Sequence, residues 1–111
     1  MLPRSHRITD GADYRAVMRQ GARCGGTVTV TYLLSARSEG PPRFGVIVSR
    51  RVGKAVVRNR VRRRISAACA DMLARVRPGT DVVVRALPAA SDAAYARLHA
   101  DLARCLERTR A

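Results

Sequence analysis

The residues of this chain with the clearest chemistry form a basic run near its middle. Five arginines fall within seven positions: Arg58, Arg60, Arg62, Arg63 and Arg64. From residue 40 to residue 70 there are nine basic side chains and no acidic one. Exposed helix faces normally mix the two signs of charge, because like charges on adjacent turns are destabilising. Arginine offers phosphate oxygens a planar fork of donors, so the run predicts a surface that binds a polyanion.

Catalytic chemistry by the protein itself is not predicted. Gly53 and Lys54 lack the spacing of a nucleotide-binding phosphate loop, since Val48 stands where a glycine is needed and Ala55 where a hydroxyl is needed. His6 and His99 are isolated in the sequence, and the eight carboxylates are scattered. We therefore predict no catalytic residue and no metal ligand on the protein.

Cysteine usage and the N-terminal sequence predict a cytoplasmic protein. Cys24, Cys69 and Cys105 are odd in number and far apart, without a CxxC pair, so we expect neither a disulfide framework nor a zinc site. No apolar run resembles a signal peptide or a membrane span. The length of 111 residues and net charge of +14 fit a single domain, residues 1–111, with a small core and a polyanion as partner.

Periodicity predicts the elements that position the basic run. Apolar spacing predicts a first helix over residues 10–20, and alternation predicts a strand over residues 27–34. A second strand, residues 44–49, follows a loop, and we expect these two strands to pair as an antiparallel hairpin.

The second half of the chain reads as helix, strand and helix. An apolar stripe of Val57, Val61, Ile65, Ala68, Met72 and Val76 predicts a long helix over residues 55–76, from which Asn59, Arg62 and Arg63 point away. A buried strand is expected over residues 81–86. Ser91 and Asp92 are expected to cap a last helix, whose apolar face is Tyr95, Leu98, Leu102 and Cys105 or Leu106. The fold class is α+β, with helices packed on one small sheet.

The segment that leads into the basic run resembles the signature of the bacterial ribonuclease P protein subunit. It reads FGVIVSRRVGKAVVRNRVRR over residues 44–63, with the Arg58-Asn59-Arg60 core. Asp13-Tyr14, Val17-Met18 and the stretch from Pro78 to Val84 also resemble parts of that family, so the likeness extends over nearly the whole chain.

The resemblance implies a two-layer αβββαβα sandwich with a small central sheet. In this fold a left-handed β-α-β crossover carries the basic helix. That hand is opposite to the usual one, and nothing in the sequence alone predicts it.

The resemblance also implies a function. The protein joins a large catalytic RNA, and together they remove the 5′ leader from precursor tRNA by endonucleolytic hydrolysis. The chemistry is carried by the RNA, with Mg²⁺ held mainly by the RNA and none bound by the protein alone. The implied partners are the catalytic RNA and precursor tRNA, and neither a membrane nor DNA.

Two sets of site residues follow from the resemblance. The candidates for binding the catalytic RNA are Ser49, Arg50, Gly53, Lys54, Arg58, Asn59, Arg60, Arg62 and Arg63. The candidates for binding the single-stranded leader are Tyr14, Met18 and Tyr32, where aromatic rings would stack on bases. Met18 replaces the family's usual aromatic residue, and for all three positions core packing is an equally strong interpretation.

Three other functions compete with this one. An equally small and basic ribosomal or other structural RNA-binding protein is the main alternative. A membrane-surface role for the basic helix is a second, although that helix has no Trp or Phe on its apolar face. A stand-alone nuclease is a third, and it would require cleavage by the protein without RNA.

Overall fold

The computed structural model describes residues 2–109. In this range the regular elements are α1 (Gly11–Gln20), β1 (Ala22–Gly25), β2 (Thr29–Ser35), β3 (Arg43–Ile47), α2 (Ala55–Met72), β4 (Thr80–Ala86) and α3 (Tyr95–Thr109). This αβββαβα order confirms the predicted α+β class. Among these residues, no helix is both long and apolar enough to span a membrane.

The four strands form one mixed sheet in the order β1-β2-β4-β3. β2 is antiparallel to both β1 and β4, whereas β3 is parallel to β4. The predicted hairpin between the second and third strands is therefore wrong, because β4 lies between them. β4 takes the central place because its Val82-Val83-Val84 core is fully buried on both faces. The hairpin that does form joins β2 to β1, a four-residue strand ending in glycine that strand propensity does not predict.

Helices α2 and α3 cover one face of the sheet and α1 covers part of the other. The larger core joins Phe44, Val82 and Val84 to the apolar sides of α2 and α3. Four residues of the predicted α2 stripe, Val61, Ile65, Ala68 and Met72, are buried as expected, whereas Val57 is only partly buried. The predicted end of the helix at Val76 is wrong, because α2 ends at Met72 and a 3₁₀ helix, Leu73–Arg75, follows it. Phe44, the only phenylalanine, is 1% exposed, and truncating such a side chain to alanine costs about 3–5 kcal/mol.

The start of the last helix differs from the prediction. Ser91 and Asp92 do not cap it, because residues Pro88–Asp92 form a separate 3₁₀ helix and α3 begins at Tyr95. Tyr95 is not on the buried face either, since it is 36% exposed and its hydroxyl donates to Asp71 Oδ2 at 2.9 Å. Leu98, Leu102, Cys105 and Leu106 are buried as expected.

The expectation that the cysteines form no disulfide is also wrong. Cys24 on β1 and Cys105 on α3 are disulfide-bonded, with their Cα atoms 5.6 Å apart. The pair is separated by 81 residues, and only the packing of α3 against the sheet edge brings it together. Cys69 is free and buried, and burial raises the pKa of its thiol.

A buried carboxylate fixes the β1–β2 turn to α3. Asp101 is 6% exposed, and its Oδ2 accepts hydrogen bonds from the amides of Val28 at 2.8 Å and Thr29 at 3.2 Å. Gly26 lies against this carboxylate, so closely that a Cβ there would fall 2.5 Å from Oδ2. The β1–β2 turn therefore depends on Gly26, which leaves room for the carboxylate, and on Asp101, which is distant in sequence.

Candidate nucleic-acid interface

The exposed side of helix α2 forms the first candidate surface, which we call the α2 surface. Val61 and Ile65 are 0% and 2% exposed and fix which side of the helix faces the sheet. Asn59, Arg62 and Arg63 consequently face solvent. Arg62 Nη1 donates to Asn59 Oδ1 at 3.2 Å, which leaves the Asn59 amide group free to donate outward.

Two other arginines of the run have a different role in the structure. Arg60 Nη2 donates to the Ser91 carbonyl at 3.1 Å, and Arg64 Nη1 donates to the Ala93 carbonyl at 2.9 Å. Both bonds are part-buried and join α2 to the segment that precedes α3. Four arginines of the basic run thus divide into two that face solvent and two that hold the fold together. Arg58 belongs to neither group, because it is partly buried and its Nε has no hydrogen-bond partner among residues 2–109.

The loop that leads into α2 extends the α2 surface. Arg50, Arg51 and Lys54 are exposed, and Ser49 Oγ accepts from the Arg51 amide at 3.3 Å. No side chain caps α2 at the Lys54 position, and its first turn contains no acidic residue. The backbone N–H groups and the positive end of the helix dipole are therefore available to an anion.

Gly53 shapes this loop. Its φ of +153° lies in a region that favours glycine, and a Cβ would fall 3.1 Å from Val57 Cγ1. A side chain would strain the junction between the loop and α2. The structure thus gives Gly53 a conformational role at the edge of the α2 surface.

The second candidate surface is the side of the sheet on which α1 lies, which we call the α1 face. Strand register places Arg23, Tyr32, Val83 and Gly45 in one row across this face. The next row is Gly25, Val30, Arg85 and Ile47. α1 packs over the first row, since a Cβ on Gly45 would fall 2.6 Å from Tyr14 Cζ.

The leader-binding candidates all lie on the α1 face. Tyr32 is 7% exposed and belongs to a small apolar cluster with Val17, Val30 and Val83. Tyr14 and Met18 are partly buried and pack against the same cluster. The three side chains therefore line one junction between α1 and the sheet, and all three contribute to packing there.

An ion network holds α1 on this face. Asp81 is 1% exposed, and it accepts from Arg37 Nη1 at 2.8 Å and from Arg43 Nη2 at 2.7 Å. Arg43 Nη2 also reaches Asp13 of α1, at 3.3 Å. Burial alone would raise the pKa of Asp81, but hydrogen bonds from Arg43 and Arg37 outweigh it, so its pKa is lowered. The Asp81 hydrogen bond in turn raises the pKa of Arg43.

The two surfaces differ in how their charges are compensated. The ion pairs within residues 2–109 involve Arg37, Arg43 and His99, and none involves an arginine of α2. Within the described residues, the hydrogen bonds from α2 arginines to distant parts of the chain go to backbone carbonyls, which carry no full charge. The α2 surface is therefore an uncompensated cationic surface.

Sequence reasoning missed several residues of the α1 face. Arg43 and Asp81 orient α1, and Arg85 lies in the row beside Tyr32. Arg85 could have been found, because period two places it on the same face as Val83. The position of Arg43 could not, since it depends on β3 pairing with β4.

The fold and the α2 surface define a small α+β protein with a cationic surface that suits a polyanion. The ribonuclease P family model matches residues 2–110. A ribonuclease P protein component of Clavibacter michiganensis subsp. michiganensis is 43% identical over 108 residues, covering 97% of this chain and 96% of that protein. A ribonuclease P protein component of Acidothermus cellulolyticus is 44% identical over 109 residues, covering 97% and 91%.

Solved structures agree with the fold. The RNase P protein of Staphylococcus aureus superposes with a TM-score of 0.85 at 23% identity, covering 96% of this chain and 97% of that one. The RNase P protein of Thermotoga maritima gives 0.81 at 20% identity, covering 95% and 98%. The chain belongs to the ribonuclease P protein component family, and it is a protein subunit with a role in tRNA processing. A ribosomal or other structural RNA-binding role is not favoured.

Proposed function

We propose that the α2 surface binds the catalytic RNA of ribonuclease P. The observation that carries this proposal is the uncompensated charge of Arg62, Arg63 and Lys54, next to a helix N-terminus without a cap or an acidic residue. Phosphate groups would supply the missing negative charge, and Asn59 would add directional hydrogen bonds to sugars or base edges. Ser49, Arg50 and Gly53 would form the border of this contact.

The α1 face is proposed to bind the single-stranded 5′ leader of precursor tRNA. Tyr14, Met18 and Tyr32 lie together at the junction of α1 and the sheet, and Arg23 is exposed in the same row as Tyr32. Apolar and aromatic side chains beside exposed cations are the usual means of holding single strands without sequence preference. Base stacking there contributes about 1–3 kcal/mol per base.

The hydrolysis itself is proposed to be carried by the RNA, with Mg²⁺ held mainly by RNA phosphates. The two most buried carboxylates of the described chain, Asp81 and Asp101, are occupied by structural hydrogen bonds. The protein's residues would bind and position the substrate and screen the charge between two RNAs. We propose that the complex works in the cytoplasm because its partners are RNAs. Cysteine usage does not support this location, since Cys24 and Cys105 form a disulfide.

Cleavage of a 5′-labelled precursor tRNA at low Mg²⁺ tests this function. Three reactions are compared: catalytic RNA alone, this protein alone, and both together. We expect efficient cleavage at the mature 5′ end only when both are present. No stimulation by a folded protein would refute the proposal in favour of a structural RNA-binding role, and cleavage by protein alone would show that it has an active site of its own.

A matched pair of variants tests the two surfaces separately. Arg63→Ala on the α2 surface should weaken binding of the protein to the catalytic RNA, whichever tRNA substrate is present. Tyr32→Leu on the α1 face should weaken binding of precursor tRNA with little effect on mature tRNA. A Tyr32→Leu protein that loses its fold would instead support a purely structural role for this ring, so its melting temperature is measured first, with Tyr32→Phe as the conservative control.

A further inference from the structure

Arg85 lies on the α1 face in the row next to Tyr32, and its side chain is partly buried. Its Cα pairs with that of Val30 on β2 and that of Ile47 on β3. Apolar residues therefore lie beside Arg85 on both neighbouring strands. Burial between apolar neighbours weakens competition from water and strengthens any hydrogen bond that this group makes.

The Arg85 guanidinium has no anionic partner among residues 2–109. Its Nε is buried without a hydrogen-bond partner, and none of the ion pairs within this range involves it. Leaving a buried donor unpaired is unfavourable. On the same face and the same strand, Asp81 is matched by two arginines. One end of β4 is thus electrically balanced, and the other end presents a cation that needs an anion.

The location of Arg85 connects the two candidate surfaces. Arg85 is the next-to-last residue of β4, and its partner Ile47 is the last residue of β3. β3 and β4 are parallel, so both strands end at the same edge of the sheet. Ser49 and Arg50 follow Ile47 within three residues and belong to the loop of the α2 surface. A strand of RNA that crosses the α1 face toward that loop would pass over Arg85.

We propose that Arg85 binds a backbone phosphate of the single-stranded leader and directs the leader from Tyr32 toward the loop before α2. This inference rests on the proposed function of the α1 face. A phosphodiester fits the site because it offers two acceptor oxygens to the guanidinium fork. Val30 and Ile47 beside it suit the sugar or base. Lysine at this position would retain the charge but lose the fork.

The test uses ribonuclease P reconstituted from the catalytic RNA and this protein. Dissociation constants are measured for precursor tRNA with a leader of about eight nucleotides, a length within the usual range for single-strand sites, and for mature tRNA without a leader. The variants are Arg85→Gln, which keeps most of the apolar stem, and Arg85→Lys. Arg77→Gln is the matched control, because it removes the same charge from an exposed position before the other end of β4.

The preference for the leader is the ratio of the dissociation constant for mature tRNA to that for precursor tRNA. In Arg85→Gln this ratio should be roughly tenfold smaller than in wild type, as expected for one charge-assisted contact. Its salt dependence for the leader-bearing substrate should flatten by about 0.7 in log–log slope. Arg85→Lys should lie between Arg85→Gln and wild type, and Arg77→Gln should match wild type. An unchanged preference in a folded Arg85→Gln protein, or an equal loss on both substrates, would overturn the inference.

Two further results separate this inference from the proposed function. If the wild-type protein gives no preference for a leader, the proposed role of the α1 face fails and the inference fails with it. If the preference exists, single neutral methylphosphonate linkages are placed along the leader. One linkage should weaken binding to wild type and have no effect with Arg85→Gln. A scan in which no linkage shows this coupling would refute the contact. If Arg85→Gln is unstable, a scan with the wild-type protein alone, in which no linkage weakens binding, would also refute it.

Discussion

Alanine substitutions should divide four arginines of the basic run into two groups with different effects. Arg62 and Arg63 are exposed, and within residues 2–109 their side chains make no hydrogen bond or ion pair with distant parts of the chain. Arg60 and Arg64 donate part-buried hydrogen bonds to the segment before α3. The first group should affect RNA binding without affecting stability, and the second should affect stability first.

The magnitudes follow from these contacts. A hydrogen bond from a charged donor contributes about 1.5–3 kcal/mol, so Arg60→Ala and Arg64→Ala should each lower the free energy of unfolding by about 2 kcal/mol. Arg62→Ala and Arg63→Ala should change it by less than about 0.5 kcal/mol, as for other surface positions. Each of these two should reduce the salt dependence of RNA binding by about 0.7–0.9 in log–log slope, the effect of one phosphate contact.

Urea unfolding and RNA binding over a range of salt concentrations measure both quantities on the same proteins. From about 50 to about 200 mM salt, the fall in affinity should be about threefold smaller for Arg63→Ala than for wild type. Arg60→Lys is the control that keeps the charge while changing the donor geometry. If Arg60→Ala leaves stability unchanged, or if Arg63→Ala lowers it by as much as Arg60→Ala does, the division of the run is refuted.

Three other predictions concern the fold around the surfaces. Gly45→Ala should cost about 1–3 kcal/mol because the new methyl group meets the Tyr14 ring, and Tyr14→Leu should recover part of this loss in a double-mutant cycle. Asp81→Asn should lower the free energy of unfolding by about 2 kcal/mol at pH 7. Because the pKa of Asp81 is lowered in the folded protein, the stabilisation by its carboxylate is present above about pH 4 and is lost as the pH falls through the folded pKa. The difference between this variant and wild type in urea unfolding should therefore shrink in acid. When the protein is unfolded without reductant, one reactive thiol should be measured, and three reactive thiols would refute the Cys24–Cys105 bond. Breaking this bond, which links residues separated by 81 positions, should lower the free energy of unfolding by about 4.5 kcal/mol through loop entropy.

The sequence predicted the local elements of this fold better than their arrangement. The α2 stripe, the buried β4 core and the exposure of Arg62 and Arg63 follow from periodicity, because each depends on neighbours within a turn or two. The pairing of strands does not. The loop between β2 and β3 suggested a hairpin, but β4, a strand far along the chain with both faces buried, lies between them.

The same limit explains what could be predicted of the candidate site. The charge of the basic run is visible in the sequence. Which of its arginines face solvent and which bind the fold is not visible, because the carbonyls that accept from Arg60 and Arg64 are about thirty residues away. The identity of those acceptors depends on α3 starting later than its expected cap. Charge density thus predicts that a surface binds an anion, but long-range contacts decide which side chains remain free to bind it.

The order of the strands also determines how the two surfaces relate. With β3 and β4 parallel and adjacent, the loop before α2 and the last residues of β4 lie at the same edge of the sheet. In the predicted hairpin, β3 would have paired with β2 instead, and Arg85 would not have been a neighbour of Ile47. The parallel crossover therefore places the cationic loop beside the α1 face, so that a single RNA strand can contact both.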